Sequence, residues 1–505
     1  VTRPSRPETG ATARSLTSHT ISSVSWLGLL QVATIAMQLC FLASVSRLLD
    51  PASFGTFAIA GIVLRLVSYL ADLGLGAALV QAPRLTPLMI RQAHGACIAA
   101  GLALTGVVLA IAKPLASLTH QKGAVGVTAA LACVFVLDAF GTTPSSMLRR
   151  RHDFRRIALA EGVSYAVGFL AVGIPCAALG LGAYSLVAAS LVQTTTRSVL
   201  LLTLAGGPHV PALPTKDMAG LLRFGTAVSG IGFLEFWSSN LDSAMVGRVG
   251  GATQLGEYNR ASSLVGLPLQ YLGQTITRAL LPAFARGSVL QVRRGLDYGL
   301  SLLSAACIPV LALASVAAHP LVTTVLGPRW RTAADILPIV CVAVLFNTLT
   351  QVPAVACEGQ GLLRQKASIQ MVHMSIVIGG LAIAVAIKAG LFAFALVWLS
   401  GEVVRHVGYL ALIRARFGVT LRSLGQSYGS ACAIAVPAAT AAIAVCHVLS
   451  GVAALAVVVI VCPLLLLGTV ATRPAWPVRR ATRQLHLTDR LPLRQARPLI
   501  ERLVA

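Results

Sequence analysis

Charge is scarce in this chain. Only 11% of its 505 residues are Asp, Glu, Lys or Arg, and just 16 of them are acids, while 56% are hydrophobic. With a mean hydropathy of +0.80, folding in water would leave large apolar patches exposed, so a soluble globular class is excluded and the bilayer is the expected solvent. Metal-ligand and disulfide spacing is also missing. The ten cysteines, from Cys40 to Cys462, contain no C-x-x-C pair and fall within apolar stretches, and the ten histidines are scattered singly. A zinc site and a disulfide framework are therefore not expected. No G-x-x-x-x-G-K-[ST] phosphate loop occurs, no Ser-His-Asp constellation is visible, and no polar stretch is long enough for a soluble catalytic domain. ATP-driven pumping is excluded, no cofactor is expected, and a transporter is favoured over an enzyme.

What is present is a succession of about 14 apolar runs of about 20 residues, the length needed to cross a bilayer as a helix. They fall at 24–46, 54–81, 92–112, 122–145, 157–179, 183–206, 219–247, 254–285, 299–326, 334–357, 369–388, 391–414, 427–447 and 451–471. Residues 1–23 are polar and basic, and the first run has no small-residue cleavage site, so the first span is expected to stay attached rather than leave as a signal peptide.

The formal charge of +24 would suit nucleic acid, but the basic residues sit in links and a tail without interleaved aromatics, so nucleic acid is not an expected partner. They alternate with topology instead. Arg84, Arg91, Arg149, Arg150, Arg151, Arg155, Arg156, Lys216, Arg286, Arg293, Arg294, Arg364, Lys366, Arg414, Arg416 and the basic tail share one side, against Arg47, Lys113, Lys122, Arg248, Arg329, Arg331 and Lys388 on the other. The positive-inside rule then predicts a multi-pass protein of the bacterial inner membrane with both termini cytoplasmic.

The chain repeats itself. The link Arg47-Leu-Leu-Asp-Pro-Ala-Ser-Phe-Gly55 and the link Arg248-Val-Gly-Gly-Ala-Thr-Gln-Leu-Gly256 occupy the same place between two long spans. Each is followed by an aromatic two residues past its last glycine, Phe57 or Tyr258. Six spans separate the copies, so they share an orientation, as in transporters whose halves are related by an axis along the membrane normal. The predicted fold is an all-α polytopic membrane protein: two six-helix lobes, 24–206 and 219–414, related by a pseudo-two-fold axis, joined by a cytoplasmic link at 207–218, and followed by two extra helices over 427–471. Tails at 1–23 and 472–505 flank them.

Polar residues inside the spans are concentrated on the four helices that the repeat makes equivalent. Span 1 carries Gln31, Thr34 and Gln38, and span 2 carries Arg65, Tyr69 and Asp72. Span 7 carries Glu235, Ser239 and Asp242, and span 8 carries Arg260, Tyr271, Gln274 and Arg278. Spacings of three and four residues put each set on one helix face. A charge at mid-bilayer costs at least about 2.5–3.5 kcal/mol on insertion scales, so these faces are expected to line an aqueous cleft between the lobes. Arg65, Arg260 and Arg278 suit phosphate oxygens. Tyr69, Tyr258, Tyr271, Gln31, Gln38, Asn259 and Gln274 suit sugar hydroxyls. Asp72, Glu235 and Asp242 either balance the arginines or couple movement to a proton or sodium gradient. Asp138, Glu161, Arg197, Glu358, Glu402 and Arg405 are scattered or near span ends and read as structural, although Asn347, Gln351 and Glu358 align on span 10.

These residues carry a family resemblance. Leu48-Leu-Asp-Pro-Ala-Ser-Phe-Gly-Thr-Phe57, Leu70-Ala-Asp-Leu-Gly-Leu75, Ala78-Leu-Val-Gln81 and Arg150-Arg-His-Asp-Phe-Arg155 resemble the first half of Wzx-type polysaccharide exporters. Asn240-Leu-Asp242, Val246-Gly-Arg248, Leu255-Gly-Glu-Tyr258 and Leu281-Pro-Ala-Phe284 resemble the second. The family belongs to the multidrug/oligosaccharidyl-lipid/polysaccharide flippase superfamily, and the likeness runs over residues 20–430. Two departures stand out: Val249 is not followed by the expected Leu, and the basic C-terminal tail is longer than the pattern requires.

The resemblance implies an alternating-access flippase for undecaprenyl-diphosphate-linked oligosaccharide repeat units, serving exopolysaccharide, capsule or O-antigen (lipopolysaccharide) synthesis. It implies a cleft lined by spans 1, 2, 7 and 8, membrane lipids as surroundings, and polysaccharide polymerase and chain-length machinery as partners. A multidrug or cation antiporter of the same superfamily is the alternative, with an expected cleft of acids and aromatics. A polysaccharide polymerase or ligase would need a large external loop, and no such loop is found.

Overall fold

The computed structural model describes residues 32–71, 76, 79–80, 85–119, 123–151, 153–206, 210–213, 219–448 and 453; side chains at 63, 65–71, 115–119, 219–239, 241, 274 and 278–279 are outside that description. Every regular element described is helical. Among the described residues, nine helices of 23 to 29 residues are long and apolar enough to cross a membrane. The chain is a polytopic helical membrane protein.

In chain order the helices are α1 (Val32–Leu48), α2 (Pro51–Ala71), α3 (Pro87–Thr119), α4 (Ala124–Arg150), α5 (Phe154–Ala178) and α6 (Ala183–Ala205). A 68-residue run, Ala219–Arg286, is interrupted at Gly251, giving α7 (219–250) and α8 (252–286). There follow α9 (Val289–Val316), a short helix Ala318–Val325, α10 (Arg331–Gly359), α11 (Leu363–Ala386), α12 (Leu391–Phe417) and α13 (Leu421–Val448).

Helix starts follow local chemistry. Asp50 accepts from the Ser53 amide at 3.2 Å, with Pro51 as the first residue of α2, where its missing N–H costs nothing. Asp153 caps α5 through the Arg156 amide at 3.3 Å, and Ser288 with Gln291 forms a capping box on α9. The two repeated links differ here. In the first, Leu49 and Asp50 leave the helix before Pro51 restarts it. In the second only Gly251 departs, at φ 74° and ψ −174°, a conformation essentially reserved for glycine. Where an open link was expected at 248–253, α7 and α8 therefore run almost end to end.

One large core joins α1 and α2 to α8, α9, α10, α12 and α13. Helix α8 is its spine: it packs on α10 in the same direction, Gly273 against Gln351 and Phe284 against Gly359. Helix α2 crosses the run at the α7–α8 junction, Ile59 against Gly247, Gly55 against Ala252 and Pro51 against Gly256. The site lies around that crossing.

Candidate functional site

The two repeated glycines meet. A Cβ on Gly55 would overlap the carbonyl oxygen of Ala252, and a Cβ on Gly256 would overlap that of Pro51. Each glycine stands four residues after the carbonyl that its counterpart touches, so the contact is reciprocal. Around it, the fully buried Trp330 donates from Nε1 to the Ser46 carbonyl at 2.8 Å and meets Phe54 edge-on at 5.4 Å. Arg47 donates to the Thr324 carbonyl.

Directly on this crossing, the guanidinium of Arg260 lies 3.7 Å over the centre of the Phe54 ring. Its Nε is buried without a hydrogen-bond partner, and among the described residues no carboxylate pairs with it. Cation–π contact on one face leaves the edge of the fork, where oxygen acceptors bind, unused. Further along, Gln38 of α1 donates to the Tyr271 hydroxyl of α8 at 2.9 Å. Tyr165 of α5 has Arg260, Tyr271 and Cys40 within electrostatic range. Helices α1, α5 and α8 thus bring one cation, one amide and two phenols together.

A second polar group sits on the other side of α8. Tyr258, two residues before Arg260 and so on the opposite helix face, donates to buried Asp242 at 2.6 Å. Asp242 lines a small cavity with Asn347, His373, Val377, Trp398, Glu402 and Arg405. There Arg405 pairs with Glu402 at 2.5 Å, Asn347 donates to Glu402 at 3.1 Å, and His373 Nε2 stands 3.9 Å from Glu402. Gly401 allows the close approach: a Cβ there would stand 3.2 Å from His373 Nε2.

Of the residues singled out from sequence, Gln38, Tyr271 and Arg260 therefore reach the α1–α5–α8 group, whereas Asp242 lines the second cavity and Tyr258 bonds to it. Gln31 and Asp72 lie outside the described residues. Arg65 and Tyr69 lie on α2, Glu235 on α7, Gln274 and Arg278 on α8; their side chains are outside the description. Tyr165 and His373 were missed. Glu402 and Arg405, read as scattered, form the centre of a buried network, which their spacing of three on one span already permits. Asp138 with Arg197, at 2.6 Å, and Glu358 with Lys366 are simple pairs.

Comparison with known proteins bears on the family and the fold. The sequence profile of a family described as "Polysaccharide biosynthesis protein" matches residues 44–335, more than half of the chain. The lipopolysaccharide biosynthesis protein WzxC of Escherichia coli (strain K12) is 22% identical over 339 residues, covering 66% of this chain and 69% of that protein. The succinoglycan biosynthesis transport protein ExoT of Rhizobium meliloti (strain 1021) is 23% identical over 343 residues, 67% and 69% of the two chains. Among solved structures, the lipid II flippase MurJ in an inward closed conformation superposes with a TM-score of 0.67 at 10% identity, over 87% of this chain and 97% of that one. An inward-facing multidrug resistance MATE family transporter gives 0.60 at 16% identity, over 76% and 94%. At these identities the structural likeness speaks for the fold.

Proposed function

The chain belongs to the polysaccharide biosynthesis protein family of Wzx-type flippases, and on that premise we propose that it carries an undecaprenyl-diphosphate-linked oligosaccharide repeat unit across the bacterial inner membrane. The observation that carries this reading is Arg260. An unpaired guanidinium inside a membrane protein is costly, and it is retained where an anion completes it. The diphosphate head supplies that anion. Gln38, Tyr271 and Tyr165 beside it supply hydrogen bonds for sugars, and the prenyl tail stays in lipid.

The reciprocal glycine crossing supports the two-lobe arrangement, with the pseudo-two-fold axis passing between Gly55 and Gly256. Under the predicted topology both links face the periplasm. The crossing, with Trp330 across it, then closes the outer side, and rocking of the lobes about it exposes the head outward. The remaining expected spans, the cytoplasmic termini and the docking of polymerase and chain-length proteins belong to the same proposal.

The drive is assigned to the Asp242 cavity. Arg405 already supplies a resident cation to Glu402, which disfavours sodium there and leaves Asp242 to exchange a proton, with Tyr258, His373, Glu402 and Arg405 as the ionisable groups around it. Tyr258 and Arg260 project from opposite faces of one stretch of α8, and movement of that stretch is the proposed link between the two sides. A drug antiporter is the weaker reading, since a cationic drug would meet Arg260.

Cells lacking the protein test the function. They are expected to accumulate undecaprenyl-linked oligosaccharide in the cytoplasmic leaflet, cleared by the wild-type copy. An unchanged leaflet distribution in the deletion strain refutes the function.

A further inference from the structure

Helix α5 is not a plain α-helix. After Phe154–Tyr165 the chain winds as a π-helix over Ala166–Gly173 before Ile174–Ala178 completes the element. A π stretch of eight residues is rare and usually marks a functional position. It is fitted tightly here: Gly168 has no room for a Cβ against Ala189 and Gln193 of α6, and a Cβ on Gly173 would stand 2.9 Å from that of Ala189 and 3.1 Å from the Phe41 ring. The wider winding lets two aromatic rings four residues apart lie parallel. Tyr165 and Phe169 stack at 4.7 Å with 22° between planes, and Phe41 of α1 meets them edge-on at 6.4 Å and 4.8 Å.

The result is a braced phenol rather than a loose one. Tyr165 is partly exposed, and its hydroxyl makes no hydrogen bond among the described residues. A ring needed only for packing is served better by phenylalanine, because an unsatisfied hydroxyl within a membrane carries a desolvation cost. Phe41 and Phe169, its neighbours, are phenylalanines. Arg260 and Tyr271 lie within electrostatic range of that hydroxyl, and Tyr271 is already tied to Gln38 at 2.9 Å.

We propose that Tyr165 forms the subsite for the first sugar of the substrate, the one bonded directly to the diphosphate that Arg260 holds. A pyranose presents a C–H face and hydroxyls together, and a fixed tyrosine offers a ring face or edge and a phenol to match. Gln38 and Tyr271 take the adjoining hydroxyls. The inference rests on the diphosphate reading of Arg260 and adds that recognition begins at the sugar, through α5, a helix outside the four with polar stripes.

Binding by the full-length protein in nanodiscs tests it, with bare undecaprenyl diphosphate and its glucose, galactose and N-acetylglucosamine conjugates as probes. Wild type is expected to bind at least one conjugate about tenfold tighter than the bare lipid, the combined size of a stacking contact and a hydrogen bond. Tyr165→Ala is expected to bring that ratio to about one with bare-lipid affinity unchanged, and Tyr165→Phe to keep part of it. Arg260→Gln is expected to weaken all probes together. An unchanged ratio in Tyr165→Ala, an equal loss for all probes in that variant, or no preference for any conjugate in wild type overturns the sugar subsite. Failure of wild type to bind even the bare lipid overturns the diphosphate reading itself.

Discussion

Two partly buried arginines divide the molecule. Arg405 has Glu402 at 2.5 Å, with Asn347 and His373 around the same carboxylate. Arg260 has the face of Phe54 at 3.7 Å and no carboxylate among the described residues. Both charges are partly withdrawn from bulk water, and among the described residues only Arg405 has a carboxylate partner. The Nε of each is buried without a hydrogen-bond partner, so the difference between them is the carboxylate: Arg405 has one from the chain, and on the proposed reading the substrate's diphosphate supplies the counter-charge for Arg260.

That contrast breaks most readily at Arg260. Arg260→Gln is expected to reduce clearance of the lipid-linked oligosaccharide from the cytoplasmic leaflet by about 30- to 150-fold, the scale of a lost charge-assisted contact worth about 2–3 kcal/mol. Arg260→Lys is expected to recover part of it, since the point charge remains but the fork is lost. Membrane levels of both variants should match wild type, which immunoblotting checks. Equal loss of protein would move Arg260 to the structural side of the comparison.

At Arg405 the opposite pattern is expected. Glu402→Gln removes the buried carboxylate that pairs with the partly buried Arg405 and should cost up to about 3–5 kcal/mol of stability, seen as a drop in thermal unfolding temperature of the detergent-solubilised protein. Asp242→Asn keeps the shape of the cavity but removes its exchangeable proton. In proteoliposomes it is expected to make transport insensitive to an imposed pH gradient while leaving lipid binding within about twofold of wild type, a shift under about 0.5 kcal/mol.

The glycine crossing comes next. Gly256→Val forces a branched side chain into the Pro51 carbonyl and is expected to cost about 1–3 kcal/mol, read as a lower thermal unfolding temperature of the detergent-solubilised protein. The smallest effect is expected at the partly exposed Lys366–Glu358 pair, where Lys366→Met should change stability by about 0–1 kcal/mol.

Much of this arrangement was legible in the sequence because membrane helices are specified by long local runs. The stretches 157–179, 183–206 and 391–414 fall within a few residues of α5, α6 and α12. The reciprocal role of Gly55 and Gly256 was legible as a repeated link, and Arg260 as a cation sunk in an apolar span. What was not legible depends on partners brought from elsewhere. Nothing near Arg260 announces Phe54, and nothing near Glu402 announces Asn347 or His373, because those meetings are made by helix crossings. The π winding at 166–173 was hidden for another reason: Ala-Val-Gly-Phe-Leu-Ala-Val-Gly reads as ordinary apolar helix, and only the fit against Ala189 and Phe41 distinguishes it. Asp242 was placed in one cleft with the arginines because hydropathy gives depth in the membrane but not which side of α8 a residue serves.

The central claim is that Arg260 is completed by the substrate's diphosphate, and an electron cryomicroscopy map of the protein in nanodiscs loaded with its lipid-linked oligosaccharide tests it most directly. The account expects phosphate density about 2.7–2.9 Å from the Arg260 guanidinium, the distance of a charge-assisted hydrogen bond. Phosphate density elsewhere in the molecule, with Arg260 still stacked on Phe54 and its fork empty, would contradict it.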